Sequence, residues 1–524
     1  MPDCLQSGTV AWVLAHHSGT IFPDWLAAGW RGSGRRGRRA WPARVLMTLL
    51  LLRWSEEGMS RLGSVSRAAV DIRWRAAMGL QIGAPTPSER TVRDFESFLR
   101  EIHPDVGATR AVLLHEHIVR LCSSEGITNQ ASWAADSTPM WCYGAVQDTV
   151  RLLGDGLART GRWYARAVGR THRQIANEWS LPLLLAKSTK GHYPIDWRSA
   201  DARAGVVTEL AEAAVRVSEA VQKTANIQRS REGREALQLC RRLLRVVEQD
   251  LEQDEQGRMV IARRVAQNRL VSLRDPSARH GRKTRSASFE GFKLHALGDL
   301  VSGLIAAVFV APANVADNAP MHKLVARTKR AGLQIERLLG DTAYGPARDR
   351  VKMAKEQGVR VLAPVPSPSK QGTKFPKAAF AVDFAAGTAT CPNAVTSTSK
   401  TTVKAERAGD TATVFHWPSA ICAACPLSAE CCEKGRKNRT VTLHPFEEQL
   451  RAAKAQWAED ATRAEYRPRA QFERVNHLLV RHGGRKARAW GLPAANLQAH
   501  VIAMRCNLQL LAEAIAAKER HAAA

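Results

Sequence analysis

Two aspartates stand where apolar runs of the sequence end. Asp136 lies in the segment WAADSTPM, and Asp341 lies in RLLGDTAYG. Sheets of α/β proteins bind ligands at the carboxyl ends of their strands, so both side chains are candidates for a site at a sheet edge. Each aspartate taken alone could instead cap the turn or helix that follows it.

A third acid, Glu473, lies in the basic segment YRPRAQFERVNHLLVRHG, residues 466–483. Because Pro468 is tolerated only in a first helical turn, we expect one helix to run on from there. Its spacing predicts that Glu473 lies at the border between an apolar face and a polar stripe. The apolar face is Phe472, Val475 and Leu479, and the stripe is Arg469, Glu473, His477 and Val480. Alternatively, Arg469 and Glu473 form a surface ion pair, which would contribute little to stability.

Acids in a basic surround suit phosphodiester chemistry on DNA. Two Mg²⁺ ions about 3.5–4 Å apart can activate an attacking oxygen and stabilise a leaving one. Mg²⁺ prefers carboxylate oxygens and water, so about three acids are enough to hold the ions. The three carboxylates therefore make a metal-dependent site a reasonable hypothesis.

The charge of the chain favours the same class of partner. The sequence has 524 residues and a formal net charge of +28. A surplus of this size is typical of proteins that bind a polyanion, because each neutralised phosphate releases counterions. A ribosome-like or membrane-surface protein is the alternative. No apolar run reaches the roughly 18 residues of a membrane span, and the start lacks a signal-peptide pattern, so we expect a cytoplasmic protein.

The elements that must position these acids change in type along the chain. The pattern is helical up to about residue 125, and one helix is predicted to begin with Thr86 as N-cap. A strand at 131–138 is followed by a long helical stretch, 141–275, interpreted as an insertion without a core of its own. Residues 286–314 predict two strands joined by a turn. Then come a helix, 321–331, a strand, 335–341, a second helix, 347–357, and a second strand, 359–365, which together predict a mixed α/β sheet.

Five of the ten cysteines lie between Cys391 and Cys432. The spacing Cys422-x2-Cys425 is typical of zinc sites, and Cys391 with Cys431 or Cys432 would complete four thiolates. His416 is a spare ligand candidate. Because the second pair is not spaced as Cys-x2-Cys, reduced and partly buried thiols are an equal alternative. A zinc ion here would be structural.

Three basic runs carry glycines, which suits contact with backbone phosphates. They are residues 31–39, residues 279–286 with Arg282 and Lys283, and residues 481–490 with Arg481. The first run could equally be a solvated linker. Lys293 and His295 in the predicted hairpin could approach DNA, although a packed strand histidine is the simpler interpretation. Asp299 and Asp317 are rival acids, interpreted as a turn residue and a helix-start residue.

The order of these motifs resembles the bacterial insertion-sequence DDE transposases of the group with a Tyr-x2-Arg-x3-Glu-x6-Lys signature. Tyr466, Arg469 and Glu473 match that signature, whereas Val480 stands where the lysine is expected and Arg481 follows it. The segments DSTPM, RHGRKTRSASFEGFKLHALGD, VAPANVADN, LLGDTAYG and the late Cys-x2-Cys-Pro also occur in the family's order.

The resemblance implies an α/β fold: a ribonuclease-H-like mixed-sheet catalytic core with an all-α N-terminal domain and two insertions. The implied domains are the N-terminal domain 1–125, for DNA-end binding or assembly, and the first part of the core, 126–365, interrupted by the helical insertion 141–275. The cysteine-bearing insertion 366–445 and the last core helices, 446–524, complete the chain. The implied metal ligands are Asp136, Asp341 and Glu473, with two Mg²⁺ or Mn²⁺ ions.

The resemblance also implies contacts and partners. Tyr466 and Arg469 would hold the DNA end, and His477 or Arg481 could replace the missing lysine. Double-stranded DNA would be the partner, both as element ends and as target, with a homodimer or larger assembly in the active complex and nucleoid association in the cell. A catalytically inactive DNA-binding relative and a nuclease of the same fold that never joins strands are the alternatives.

Overall fold

The computed structural model describes residues 4–30, 40–130, 132–284, 286–365, 374–404, 410–433 and 435–523. The basic run 31–39 lies outside them. The chain forms two compact units, which are described separately. Unit 1 comprises Met1–Asn129, Asp136–Leu333 and Glu473–Ala524, and unit 2 comprises Gln130–Ala135 and Gln334–Phe472.

Unit 1 begins with helices, as predicted. They are α1 (Val10–Ile21), α2 (Ala43–Ser55), α3 (Arg61–Val70), α4 (Ile72–Met78), α5 (Glu89–Arg100) and α6 (Arg110–Ser124). The predicted apolar face of α5 is buried, but the N-cap prediction at Thr86 was wrong. Ser88 caps the helix by accepting a hydrogen bond from the Thr91 amide at 3.2 Å, since a serine hydroxyl reaches the amide three residues on.

The helical stretch predicted at 141–275 follows strand β1 (Trp133–Trp141). Its helices are α7 (Thr149–Ala167), α8 (His172–Glu178), α9 (Thr189–His192), α10 (Ala200–Lys223) and α11 (Arg231–Asp250), followed by the hairpin β2 (Leu251–Gln253) and β3 (Met259–Ile261). These elements enclose their own cluster of buried apolar side chains, among them Leu157, Leu210 and Leu243. The expectation that the insertion lacks a core was therefore wrong, because α7, α10 and α11 each bury an apolar stripe against the others.

The strands of unit 1 carry its candidate site. β4 (Arg279–Arg282), β5 (Ser288–Asp299) and β6 (Ile305–Pro312) precede helix α12 (Met321–Arg330). β5 pairs antiparallel with β4 and with β6, and β1 is its neighbour in the strand order. Gly291 has φ of +144°, and a Cβ there would lie 2.4 Å from the Met140 carbonyl oxygen of β1. Only glycine permits so close an approach of the two strands.

Unit 2 contains parallel pairing around the start of β1. Strand β7 (Arg337–Leu339) pairs parallel with β1, with Ala134 opposite Leu339, and also parallel with β8 (Arg360–Leu362). Helix α13 (Ala347–Gln357) lies between β7 and β8 in sequence, with the bounds that were predicted. Its limits follow local chemistry, because Pro346 precedes its first residue and Gly358, at φ of +63°, follows its last.

The remainder of unit 2 contains the cysteines. Its strands form two antiparallel three-stranded sheets, with two short helices before the last strand and two helices after it. The strands are β9 (Ala381–Asp383), β10 (Thr388–Thr390), β11 (Thr396–Ser397), β12 (Lys400–Lys404), β13 (Thr411–His416) and β14 (Thr440–Leu443), and the helices are α14 (Ser419–Ala423), α15 (Ser428–Cys431), α16 (Glu447–Ala458) and α17 (Asp460–Tyr466).

Two further helices, α18 (Phe472–Leu479) and α19 (Leu492–Ala523), close the chain. α19 packs along β6 through two asparagines that bond to the strand backbone in both directions. The Asn496 amide bonds to the N–H and C=O of Val310 at 3.0 and 3.1 Å, and the Asn507 amide does the same with Ile305 at 2.9 Å each. These bonds satisfy backbone groups of β6 that face away from β5.

The protein is thus a mixed α/β protein, as predicted. Its identity as a ribonuclease-H-like core and the predicted domain boundaries stay predictions. In the described part of the chain, no helix is long and apolar enough to cross a membrane.

Candidate active site

Asp136 lies on β1, and its carboxylate is held on both oxygens. The Ser137 backbone N–H donates to Oδ1 at 2.7 Å, and the Asn476 side-chain amide donates to Oδ2 at 3.1 Å. Asn476 belongs to α18, so this contact joins the candidate strand to the helix that carries the third acid. Two donors to one carboxylate fix its orientation.

Glu473 precedes Asn476 by three residues on α18, a spacing that places both on the same side of a helix. Its side chain is exposed, whereas Phe472, Val475 and Leu479 are buried. The predicted border position of Glu473 is therefore correct.

The predicted single helix is wrong. α17 ends at Tyr466, a 3-10 turn spans Arg467–Gln471, and a π-helical turn spans Val480–Gly484. Pro468 lacks an N–H and cannot sit inside an α-helix, so it separates α17 from α18 and leaves Arg469 outside the Glu473 helix. Val480 is the first residue of the π turn.

A second carboxylate, Asp317, lies beside the first. It accepts a hydrogen bond from the Ser137 hydroxyl at 2.7 Å and forms an ion pair with the Lys293 ammonium at 2.9 Å. Asp317 does not start a helix as expected, because α12 begins only at Met321 with Pro320 as its cap. Asp299 does occupy a turn, where its carboxylate accepts from the Val301 amide at 3.2 Å.

Lys293 is mostly buried, and its ammonium also donates to the Val315 carbonyl at 3.0 Å. Its predicted DNA contact stays a prediction, while the geometry here uses the ammonium to hold Asp317. His295, on the same strand, is fully buried, as expected for a packed strand histidine. Burial lowers the pKa of His295 to about 4, the Asp317 carboxylate opposes that shift, and the Lys293 charge adds to it.

Asp341 follows β7 in unit 2. Its Oδ1 accepts from the Ala343 amide at 2.9 Å, so it caps the 3-10 turn Thr342–Tyr344. It stands two residues beyond Leu339, the last residue of β7. The capping role weighed for Asp341 is therefore present in the structure.

Tyr466 orders the backbone beside Asp341. Its hydroxyl donates to the Gly340 carbonyl at 2.9 Å, and its ring packs edge-on against Trp457 with centroids 4.9 Å apart. The preceding residue, Glu465, forms ion pairs with Arg337 of β7 and Arg360 of β8. These contacts fix α17 to the strands of unit 2, which is a positioning role for the tyrosine that sequence reasoning did not include.

The other predicted DNA contacts are distributed along the surface. His477, Arg481, Arg282 and Lys283 are exposed, and Arg469 is half-buried. The run 481–490 is anchored to β1, because the Trp141 amide donates to the Arg485 carbonyl at 2.9 Å and the Ala487 amide donates to the Trp141 carbonyl at 2.8 Å. Whether these side chains contact DNA stays a prediction.

The donor types suit the predicted metal, because aspartate and glutamate oxygens are the ligands that Mg²⁺ prefers. In the described ranges, however, no group of three or more His, Cys, Asp or Glu side chains is arranged to hold a metal ion.

Residues 390–512 match the family model described as the transposase DDE domain. This match supports an insertion-sequence DDE transposase. A search of curated proteins and a search of solved structures gave no significant match. The transposase-domain match includes Tyr466 and Glu473, whereas Asp136 and Asp341 precede it in the chain.

The cysteines at 391–432 fall inside the matched transposase domain. Cys431 belongs to a buried cluster with Phe380 and Trp417, and both Cys391 and Cys422 pack against that cluster. Burial, followed by the neighbouring Cys432 thiol, raises the pKa of Cys431 to about 11. Both the zinc hypothesis and the buried-thiol alternative stay open, and His416 instead bonds to the Thr401 hydroxyl at 2.7 Å.

Sequence reasoning missed two residues around Asp136, namely Ser137 and Asn476, and it interpreted Asp317 as a helix-start residue and not as a neighbour of Asp136. Ser137 was visible inside the DSTPM segment, and Asn476 lies one helical turn beyond Glu473. The contacts of Asp317 had no local signal, because its partners lie 24 and 180 residues away along the chain.

Proposed function

We propose that the protein is a transposase that binds the terminal inverted repeats of an insertion sequence, cleaves DNA and joins the freed end to target DNA. The observation that carries this proposal is the transposase DDE domain match, which contains the Glu473 helix. The hydrogen bond from that helix to Asp136 adds support, since it links two of the three proposed catalytic acids within unit 1.

The proposed ligand set is Asp136, Asp341 and Glu473, with Mg²⁺ or Mn²⁺ as two bound ions. When bound, such ions supply Lewis-acid stabilisation of the attacking and leaving oxygens. The chain's own part is to orient the carboxylates. Asn476 and the Ser137 amide hold Asp136, while Ala343 and Tyr466 order the turn that carries Asp341.

DNA is the proposed substrate, both as element ends and as target. The net charge of +28 fits this substrate, because association with a polyanion is steered by long-range attraction. Arg469, His477 and Arg481 remain the proposed contacts to the DNA end. Joining one element requires both of its ends in one complex, so we propose a homodimer or larger assembly in the active state.

The direct test is metal-dependent cleavage and joining of duplexes that carry the element's own ends. Asp136→Ala and Glu473→Ala should each abolish both reactions while leaving the protein folded. Glu448→Ala is a matched control, since Glu448 is an exposed acid on α16. Cleavage by either triad variant at the parental rate would show that the assigned acids are wrong.

A DNA-binding relative without activity is the second candidate, and Val480 at the signature lysine position is the observation that favours it. Such a protein would bind end DNA but cut nothing in either metal. A nuclease of the same fold would cut without joining, so a strand-transfer assay separates it from the transposase. Short inverted repeats bordered by a target duplication around the gene would favour the transposase.

A further inference from the structure

The helical insertion of unit 1 contains an open cavity of ≈ 590 Å³ whose charged lining residues are mostly basic. Five basic side chains line it, against a single carboxylate, Asp155. The basic residues are Arg151, Arg159 and Arg162 of α7, Lys187 of the loop before α9, and Arg274. Nothing in the proposed cleavage site uses this cavity, which lies on a different set of elements.

Most of these cations have no acidic partner. Arg151 contacts Asp148 at 3.8 Å. Among the described residues, Arg159, Arg162, Lys187 and Arg274 form no ion pair with any carboxylate. Asp155 is itself bonded by neutral donors, the Gln147 amide at 2.6 Å and the Thr189 hydroxyl at 2.9 Å. The cavity is therefore a concave surface with a large excess of positive charge.

The like charges affect one another in the folded protein. Arg159 is half-buried, and burial lowers its pKa, with further lowering by Arg274, Arg242 and Arg162. Crowded cations cost free energy unless an anion joins them, so a bound anion would relieve this repulsion.

One wall of the cavity is held rigid. Trp490 packs edge-on against Tyr143 with centroids 5.0 Å apart, and the Arg274 guanidinium lies 5.8 Å from its ring. Gly144 faces the same ring so closely that a Cβ there would come within 2.1 Å of it. The side chain that supports Arg274 is thus fixed before any ligand arrives, which reduces the entropy cost of binding.

We propose that this cavity binds backbone phosphates of DNA, as a second DNA contact outside the proposed cleavage site. Guanidinium groups bind phosphate oxygens in pairs of hydrogen bonds, which suits a set of three or four arginines around one concave surface. The choice of DNA as the phosphate source rests on the proposed function, whereas the affinity for phosphate does not.

The test is duplex binding by the full-length protein, measured by fluorescence anisotropy over a range of salt concentrations. Two duplexes are compared, the element end and an unrelated sequence. The double variant Arg159→Gln with Arg274→Gln should bind both more weakly. Its plot of log affinity against log salt should be shallower by about 2, because each lost phosphate contact removes about one unit of slope.

Lys187→Gln keeps the test independent of folding, since Lys187 is an exposed loop residue. Its plot of log affinity against log salt should be shallower by about 1. Arg216→Gln is the matched control, because Arg216 is exposed on α10 of the same insertion and does not line the cavity. Equal losses in Arg216→Gln and the cavity variants would overturn the proposal, since only net charge would then matter.

Binding of inorganic phosphate, measured by calorimetry, distinguishes free phosphate from DNA as the source of the bound phosphate. If the double variant loses phosphate binding but keeps the duplex affinity of the parent, DNA is not the ligand of the cavity. Asp136→Ala separates the two proposals, because it should abolish cleavage and leave the salt slope intact. Parental protein that binds duplex through the cavity but never cleaves would refute the proposed function alone.

Discussion

The Asn476 side-chain amide donates a hydrogen bond of 3.1 Å to Asp136 across 340 residues of sequence. This bond ties the strand that carries one proposed catalytic acid to the helix that carries another. Its donor is a neutral group, so it orients the Asp136 carboxylate without cancelling the charge that a metal ion would need.

Asn476→Asp should weaken catalysis without unfolding the protein. The new carboxylate keeps the shape of asparagine but replaces a donor with a negative charge beside Asp136. Loss of an orienting partner typically costs about 10–100-fold in metal affinity or activity. We expect the Mg²⁺ concentration for half-maximal cleavage to rise, as measured by metal titration of end-DNA cleavage. Gln471→Ala, at an exposed neighbouring position, should behave like the parent.

Tyr466→Phe separates a positioning role from a DNA contact. The variant keeps the ring against Trp457 but removes the hydrogen bond to the Gly340 carbonyl. We expect a loss of about 0.5–1.5 kcal/mol in the free energy of unfolding and slower cleavage, with duplex affinity unchanged. Weaker duplex binding in an anisotropy titration would instead favour the DNA contact inferred from the family signature.

The buried His295 makes stability depend on pH. Its pKa is about 4 in the folded protein and about 6.5 in an unfolded chain. The unfolded state therefore binds more protons between these values, and stability falls as the pH falls from about 6.5 to about 4, by about 3 kcal/mol for this one group.

His295→Leu should remove that share of the pH dependence. Neither ring nitrogen of His295 has a hydrogen-bond partner among the described residues, so the substitution breaks no such bond there. Urea denaturation at pH 7 and pH 5 measures the difference. The variant should lose less stability than the parent between the two, and an identical loss would show that His295 is not the titrating group.

Val480→Lys restores the signature residue at the first position of the π turn. One added phosphate contact should strengthen duplex binding and make the slope of log affinity against log salt steeper by about 1. Val480→Leu keeps an apolar side chain and serves as the control. An unchanged slope in Val480→Lys would mean that a lysine at this position does not reach DNA.

Metal analysis and a chelator can distinguish a zinc site from reduced thiols at the cysteine group. If Cys391, Cys422, Cys425 and Cys431 hold zinc, metal analysis should find one ion per chain, and Cys422→Ser should release it. A chelator should then lower the melting temperature, because structural zinc contributes on the order of 10 kcal/mol to folding. Cys4→Ser is the control, since Cys4 is exposed at the other end of the chain. Protein without zinc and insensitive to chelator would favour buried thiols.

Local chemistry explains which elements were predictable. α13 begins and ends where predicted because Pro346 and Gly358 act on the backbone next to them. The β5–β6 hairpin was predicted as two strands joined by the turn around Asp299, and the structure has that turn. The helix around Glu473 was predicted in type but not in extent, because Pro468 divides it into separate turns.

The kinds of group available could be read from the amino-acid sequence: three acids at motif positions, a basic surround, and the order of family segments. Their immediate partners depend on the folded chain, namely Asn476 and Ser137 at Asp136, Lys293 at Asp317, and Tyr466 beside Asp341. The spacing of apolar residues over a short segment shows which face of a helix or strand is buried. Contacts between distant segments depend on how those faces pack, and packing leaves no local pattern in the sequence.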